Sequence, residues 1–123
     1  MDRLSRVILE SCIEVHREMG PGLLESIYEQ CLAHELTIRR ISFQQQVPLQ
    51  LNYKGYQISR DLRIDLLIEN QVIVELKSVE MLLPVHTAQI ISYLKLADKS
   101  LGFLVNFNVP VLKEGFHRYV NNF

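Results

Sequence analysis

The hydrophobic period of this chain first changes near Ser42, and that change limits the fold more than any other feature. Before it, Leu4, Val7, Ile8, Cys12, Val15 and Met19 recur at intervals of three and four, which predicts an amphipathic helix over 4–19. Gly20-Pro21-Gly22 stops it, because neither residue type continues a helix cheaply. A second helix is expected from Leu24 to Arg39, with Ile27, Cys31, Leu32 and Leu36 as its apolar stripe. After Ser42, Val47, Leu49, Leu51 and Tyr53 alternate with Pro48, Gln50 and Asn52, the period of a strand. Lys54-Gly55 reads as a turn into a second strand over Tyr56 to Ile68, and Glu69-Asn70-Gln71 as a turn into a third, Val72 to Lys77. These three segments form an expected antiparallel meander. Pro84 opens a third helix over 85–97, with Ala88, Ile91 and Leu94 at helical spacing. Leu101 to Phe107 is a near-continuous apolar run of strand length, as expected for a strand buried on both faces. A short strand around Val111 and a weaker segment from Phe116 to Val120 complete the tail. The order α-α-β-β-β-α-β predicts an α/β sandwich, with helices flanking one mixed sheet.

Residues 1–123 are one domain's length, and a composition of 48% hydrophobic and 22% charged residues suffices for a core without disulfide or metal staples. The longest uncharged stretch, Met81 to Leu94, is too short and too polar to span a membrane. The N-terminal MDRLSRVILESCIE lacks the plan of a signal peptide. Cys12 and Cys31 both fall in helical stretches outside any CxxC or Cys/His pattern. They read as small apolar residues in a reducing compartment, so a cytoplasmic location is expected. His16, His34, His86 and His117 are scattered, without zinc spacing. The net charge of -1, from 13 basic and 14 acidic residues, excludes a simple basic coat for nucleic acid.

The chemistry concentrates on the hairpin of the second and third strands. Glu75 and Lys77 are two apart, so they share a face. A three-residue turn would pair Ile68 with Val72 and place Asp65 directly opposite Glu75. Two apposed carboxylates repel unless a proton or a cation neutralises them. A hard divalent cation such as Mg²⁺ does this with few protein ligands, and an adjacent lysine can orient or deprotonate a water. The same spacing also fits a solvent-facing hairpin with a Lys–Glu ion pair. Glu25 falls in the first turn of the second helix, with Tyr28 three residues on; helix capping alone would also explain that acid. On the third helix Gln89 and Tyr93 are an i, i+4 pair, His86 lies three residues before Gln89, and Lys95 follows. These residues also fit a helix with one wet face.

With those residues in view, the chain resembles the GxxExxY proteins, a branch of the PD-(D/E)XK nuclease superfamily. The resemblance runs through GPGLLESIYE, RIDLLIENQVIVELKS, PVHTAQIISYLKL and LGFLVNFNVPVLKEGFHRYVN, nearly the whole chain. It implies a restriction-endonuclease-like α/β sandwich. It also implies Asp65 and Glu75 as metal-binding carboxylates, Lys77 as catalytic lysine and Glu25 as a helical acid joining the metal. Gln89 and Tyr93 resemble a QxxxY element supporting the site, and Ile64 stands where the family usually has proline. Tyr28, His86 and Lys95 are expected as supporting or substrate-binding residues. The implied activity is Mg²⁺- or Mn²⁺-dependent hydrolysis of phosphodiester bonds in nucleic acid, DNA before RNA. The competing readings are a non-catalytic binding or regulatory module, and a minimal core that works as a homodimer or with a partner protein. Setting Glu25, Asp65 and Glu75 aside as cation ligands leaves 13 basic against 11 acidic residues, so the near-neutral total is compatible with a phosphate substrate.

Overall fold

Each helix presents its apolar stripe to one side of a single sheet. In the computed structural model, which describes residues 1–121, the elements are α1 (Arg3–Met19), α2 (Glu25–Ile38), β1 (Phe43–Tyr53), β2 (Tyr56–Ile68), β3 (Val72–Lys77), α3 (Pro84–Ala97), β4 (Leu101–Asn106), a 3-10 turn (Leu112–Gly115) and β5 (Phe116–Val120). The sheet order is β1-β2-β3-β4-β5. β1, β2 and β3 are antiparallel neighbours, as the meander reading expects. β3 and β4 run parallel, with α3 as the crossover, and β5 returns antiparallel, so the sheet is mixed.

α1 and α2 cover one face. Ile8, Cys12, Val15, Tyr28, Leu32 and Leu36 pack there against Leu66, Ile68, Val72, Val74 and Leu76. α3 covers the other face, where Ile90, Tyr93 and Leu94 meet Leu67, Ile73 and Leu104. Each fully buried aliphatic side chain contributes about 1.5–3 kcal/mol relative to exposure. The inward stripe of α3 is therefore Ile90, Tyr93 and Leu94, a rotation from the expected one: Ala88 is exposed and Ile91 half-buried. β4 is buried from Gly102 to Asn106, in keeping with its unbroken apolar run. Among the described residues no helix is long and apolar enough to cross a membrane.

Two departures from the sequence reading have local causes. The expected strand around Val111 is absent. Val111 instead precedes the 3-10 turn, whose Leu112 and Gly115 are buried. Pro110 has no N–H to offer a ladder, and a Cβ at Gly115 would collide with the carbonyl of Asn106, so this segment folds inward beneath β4. The second departure is in β1. Gln46 has φ +50°, rare for a non-glycine residue within a strand. There the alternation reverses: Phe43 packs with the α1/α2 core, whereas Val47 and Leu49 pack on the α3 side. Opposite, Leu66 and Ile68 pack with α1/α2 and Ile64 with α3. The β1–β2 hairpin thus changes face at Gln46 and Asp65.

Tyr28 shapes the Gly20–Leu24 loop from within. Gly20 and Gly22 take φ +70° and +95°, which favour glycine, and let α1 turn back into α2. The Tyr28 hydroxyl donates to the Gly20 carbonyl (2.6 Å) and accepts from the Leu23 N–H (3.1 Å), and its ring stacks on Phe107 at 4.4 Å. Tyr28→Phe keeps the ring and removes both hydrogen bonds. It is expected to cost about 1–3 kcal/mol, read as a lowered thermal midpoint; an unchanged midpoint would show that the hydroxyl does not hold the loop.

Candidate active site

The β2–β3 ladder is regular only from Ile68/Val72 to Leu66/Val74. One step further, where Asp65 would face Glu75, side chains take over the hydrogen bonding. The Asp65 N–H donates to Glu75 Oε2 at 2.7 Å, and the Leu76 N–H donates to Asp65 Oδ2 at 2.9 Å. The expected register is correct, but the strands splay, and the carboxylates fill the opening. Glu75 is only 4% exposed and Asp65 is half-buried. The solvent-facing alternative is therefore excluded, and among the described residues Lys77 forms no ion pair with Glu75.

Burial, and then the charge of Asp65, push the Glu75 carboxyl up to about 8. Burial also holds Asp65 above the ordinary carboxylate range, against hydrogen bonds from Leu76 and Gln46 and the charge of Lys77. Two oxygen acids that resist ionisation side by side, with a lysine nearby, are a donor set suited to a hard divalent cation. Among the described residues, no three His, Cys, Asp or Glu side chains gather closely enough to hold a metal by themselves.

Glu25, at the start of α2, is exposed, and its Oε2 lies 3.3 Å from the Ser78 N–H just beyond Lys77. The Ser78 hydroxyl donates to the Leu23 carbonyl at 2.6 Å, tying the α1–α2 loop to the end of β3. The Glu25 charge still reaches Asp65, whose ionisation it opposes. Tyr28 does not face the carboxylates; it is fully buried beneath the loop that carries Glu25.

On the other side, α3 and Lys77 line a cleft of about 500 Å³ with Val85, His86, Ala88, Gln89 and Ser92. Gln89 Nε2 donates to the Tyr93 hydroxyl at 3.0 Å, so the expected pair is formed. Burial raises the Tyr93 hydroxyl above its usual range, and the charges of Glu75 and Asp65 add to the effect. His86 Nδ1 accepts from the Leu83 N–H at 3.0 Å and so caps α3. Its neutral form then carries the proton on Nε2. Lys95 stands exposed in the last turn of α3 and is not among the cleft-lining side chains.

Two residues escaped the sequence reading. Glu29, one turn after Glu25 on α2, accepts from Gln45 Nε2 (3.0 Å) and Gln46 Nε2 (2.7 Å), and its charge opposes ionisation of Glu75. Gln46 Nε2 also lies 3.3 Å from Asp65 Oδ1, linking the third acid to the pair. The available signals were the i, i+4 spacing of Glu25 and Glu29 and the Gln44–Gln46 run, which the hairpin register sets opposite Asp65–Leu67.

On this α/β sandwich a splayed hairpin brings an aspartate and a glutamate together, with a lysine two residues on that lines the α3 cleft. A family model described as the PD-(D/E)XK nuclease superfamily matches residues 2–119, and the chain belongs to that superfamily. No curated protein and no solved structure matches the chain significantly.

The raised Glu75 carboxyl has a stability consequence. A folded-state value near 8 against the ordinary 4.5 means that folding favours the protonated form, so stability is lost as pH rises through that interval. Glu75→Gln keeps an acceptor for the Asp65 N–H and removes the titration. In EDTA its thermal midpoint relative to wild type is expected to rise steadily from about pH 5 to about pH 8. A pH-independent difference would contradict the buried, proton-holding state of Glu75.

Proposed function

We propose that this protein is a divalent-metal-dependent nuclease of the GxxExxY branch, hydrolysing phosphodiester bonds in nucleic acid, DNA before RNA. The observation that carries the reading is the Asp65–Glu75 pair at the point where β2 and β3 separate, with Lys77 two residues on, in a chain of a nuclease superfamily. Asp65 and Glu75 would hold Mg²⁺ or Mn²⁺, and Glu25 would join through water. The bound ion would supply a water of lowered pKa and offset charge on the scissile phosphate. Lys77 Nζ would orient the attacking water and take its proton. Gln89 would fix the Tyr93 hydroxyl as a wall of the site, and His86 Nε2–H would donate to a phosphate oxygen. Lys95 would meet the phosphate backbone away from the reacting centre, and Tyr28 would act only by holding the loop of Glu25.

Purified protein is expected to cleave at least one of plasmid, linear, single-stranded or branched DNA or RNA with Mg²⁺ or Mn²⁺, and to stop in EDTA. Lys77→Ala should lower the rate at least about 100-fold while metal binding persists by calorimetry. Asp65→Ala should lose both. If no substrate is cut, or if Lys77→Ala cuts as well as wild type, the catalytic reading fails. Retained nucleic-acid binding without cleavage would then favour the module reading.

A further inference from the structure

β3 supports β2 only from Leu66 to Ile68; beyond it the root of the β1–β2 hairpin packs under α3 through Val47, Leu49, Leu62 and Ile64, and the rest extends outward as an arm. Every residue from Asn52 to Asp61 is exposed. The register pairs Tyr53 with Tyr56 and Leu51 with Ile58, so these four side chains share one face, while the Asn52/Gln57 pair lies on the other. Core packing does not account for this face: Tyr53 is 62% and Tyr56 71% exposed. The tip is well specified. Lys54 and Gly55 both have positive φ, as a two-residue I′ turn requires, and Asn52 Oδ1 accepts from the Gly55 N–H at 3.0 Å. The Lys54 ammonium lies 5.3 Å from the centre of the Tyr53 ring.

Charge distinguishes the arm from the rest of the chain. Residues 47–64 carry Lys54, Arg60 and Arg63 against Asp61 alone, whereas the other residues carry 10 basic against 13 acidic groups. Asp61 is paired with Arg63 Nε at 2.8 Å. Arg63 also donates to the Gln46 carbonyl at 3.1 Å, and Gln46 contacts Asp65, so the root of the arm is bonded into the acidic site. Tyr56 precedes Asp65 by nine residues, a reach of at most roughly 30 Å at strand rise.

Resting on the nuclease reading above, we propose that this arm is the substrate-holding element, gripping the nucleic-acid strand to one side of the scissile phosphate. Tyr53 and Tyr56 stack on unpaired bases, and Lys54 and Arg60 meet phosphates. A second copy of the chain is the less suitable occupant. Pro48 and the register shift between Leu49 and Leu51 blunt the outer edge of β1 against strand addition. The excess of cations would also set like charge against like in a two-fold pairing of arms.

The test is fluorescence anisotropy of labelled single-stranded and duplex DNA and RNA on the Lys77→Ala protein, with Mg²⁺ and over a series of salt concentrations. Alongside it run wild-type cleavage and light scattering. Adding Tyr53→Ala and Tyr56→Ala should weaken single-stranded binding at least about tenfold. Adding Lys54→Ala and Arg60→Ala instead should reduce the slope of log affinity against log salt by about 1.5. Thermal midpoints and metal binding should stay unchanged, since the tip is exposed and outside the acidic pair. Unchanged affinity and slope in both variants overturn the arm proposal, and wild-type cleavage in the same experiment leaves the nuclease reading standing. Binding lost with the arm, in a wild type that never cleaves, supports the arm and removes the nuclease reading. A dimer that the tyrosine variant converts to monomer, with nucleic-acid binding intact, overturns the arm proposal in favour of self-association. If no oligonucleotide binds the parent protein, the arm proposal is overturned, and the nuclease reading falls with it where the wild type also cleaves nothing.

Discussion

Between Asp65 and Glu75 the β2–β3 ladder exchanges backbone acceptors for carboxylates. The Asp65 N–H gives its hydrogen bond to Glu75, and the Leu76 N–H gives its own to Asp65. The strands can therefore separate without leaving these donors unpaired, at the cost of two acids brought together in a largely buried place. Much of the nearby architecture serves that exchange. Gln46, held at positive φ, reverses the face of the hairpin and reaches both Asp65 and Glu29. Strain of this kind persists only where the surroundings fix it, and it clusters at functional sites.

The helical side of the site depends on a loop rather than on a helix face. Tyr28 and the glycines shape the α1–α2 turn, Ser78 ties that turn to the end of β3, and Glu25 arrives beside Lys77's neighbour as a result. Asn106, also buried, holds the chain beyond β3 by donating to the Val79 carbonyl and accepting from its N–H. Lys77 thus ends a strand fixed on both sides and opens directly onto the α3 cleft.

The strand and helix order was legible because most elements carry a clean period, and the three-residue turn at Glu69–Gln71 placed Asp65 against Glu75 by counting alone. What counting missed depends on tertiary geometry. The reversal at Gln46 is a single backbone torsion with no glycine or proline to announce it. Glu29 joins the site through Gln46, which bonds both it and Asp65. The Val111 segment has a β-branched residue in an extended backbone, yet its packing under β4 depends on the missing side chain of Gly115. Tyr28 and Glu25 read as one helix face, but at the first turn of α2 one goes into the core and the other toward β3.

The proposed activity depends on the Asp65–Glu75 pair being a cation site. Anomalous scattering from crystals soaked in Mn²⁺ tests it most directly. A manganese peak at carboxylate-ligand distance from both side chains is the expected result. A fully loaded crystal with no peak there, or with manganese bound only elsewhere on the surface, would contradict it.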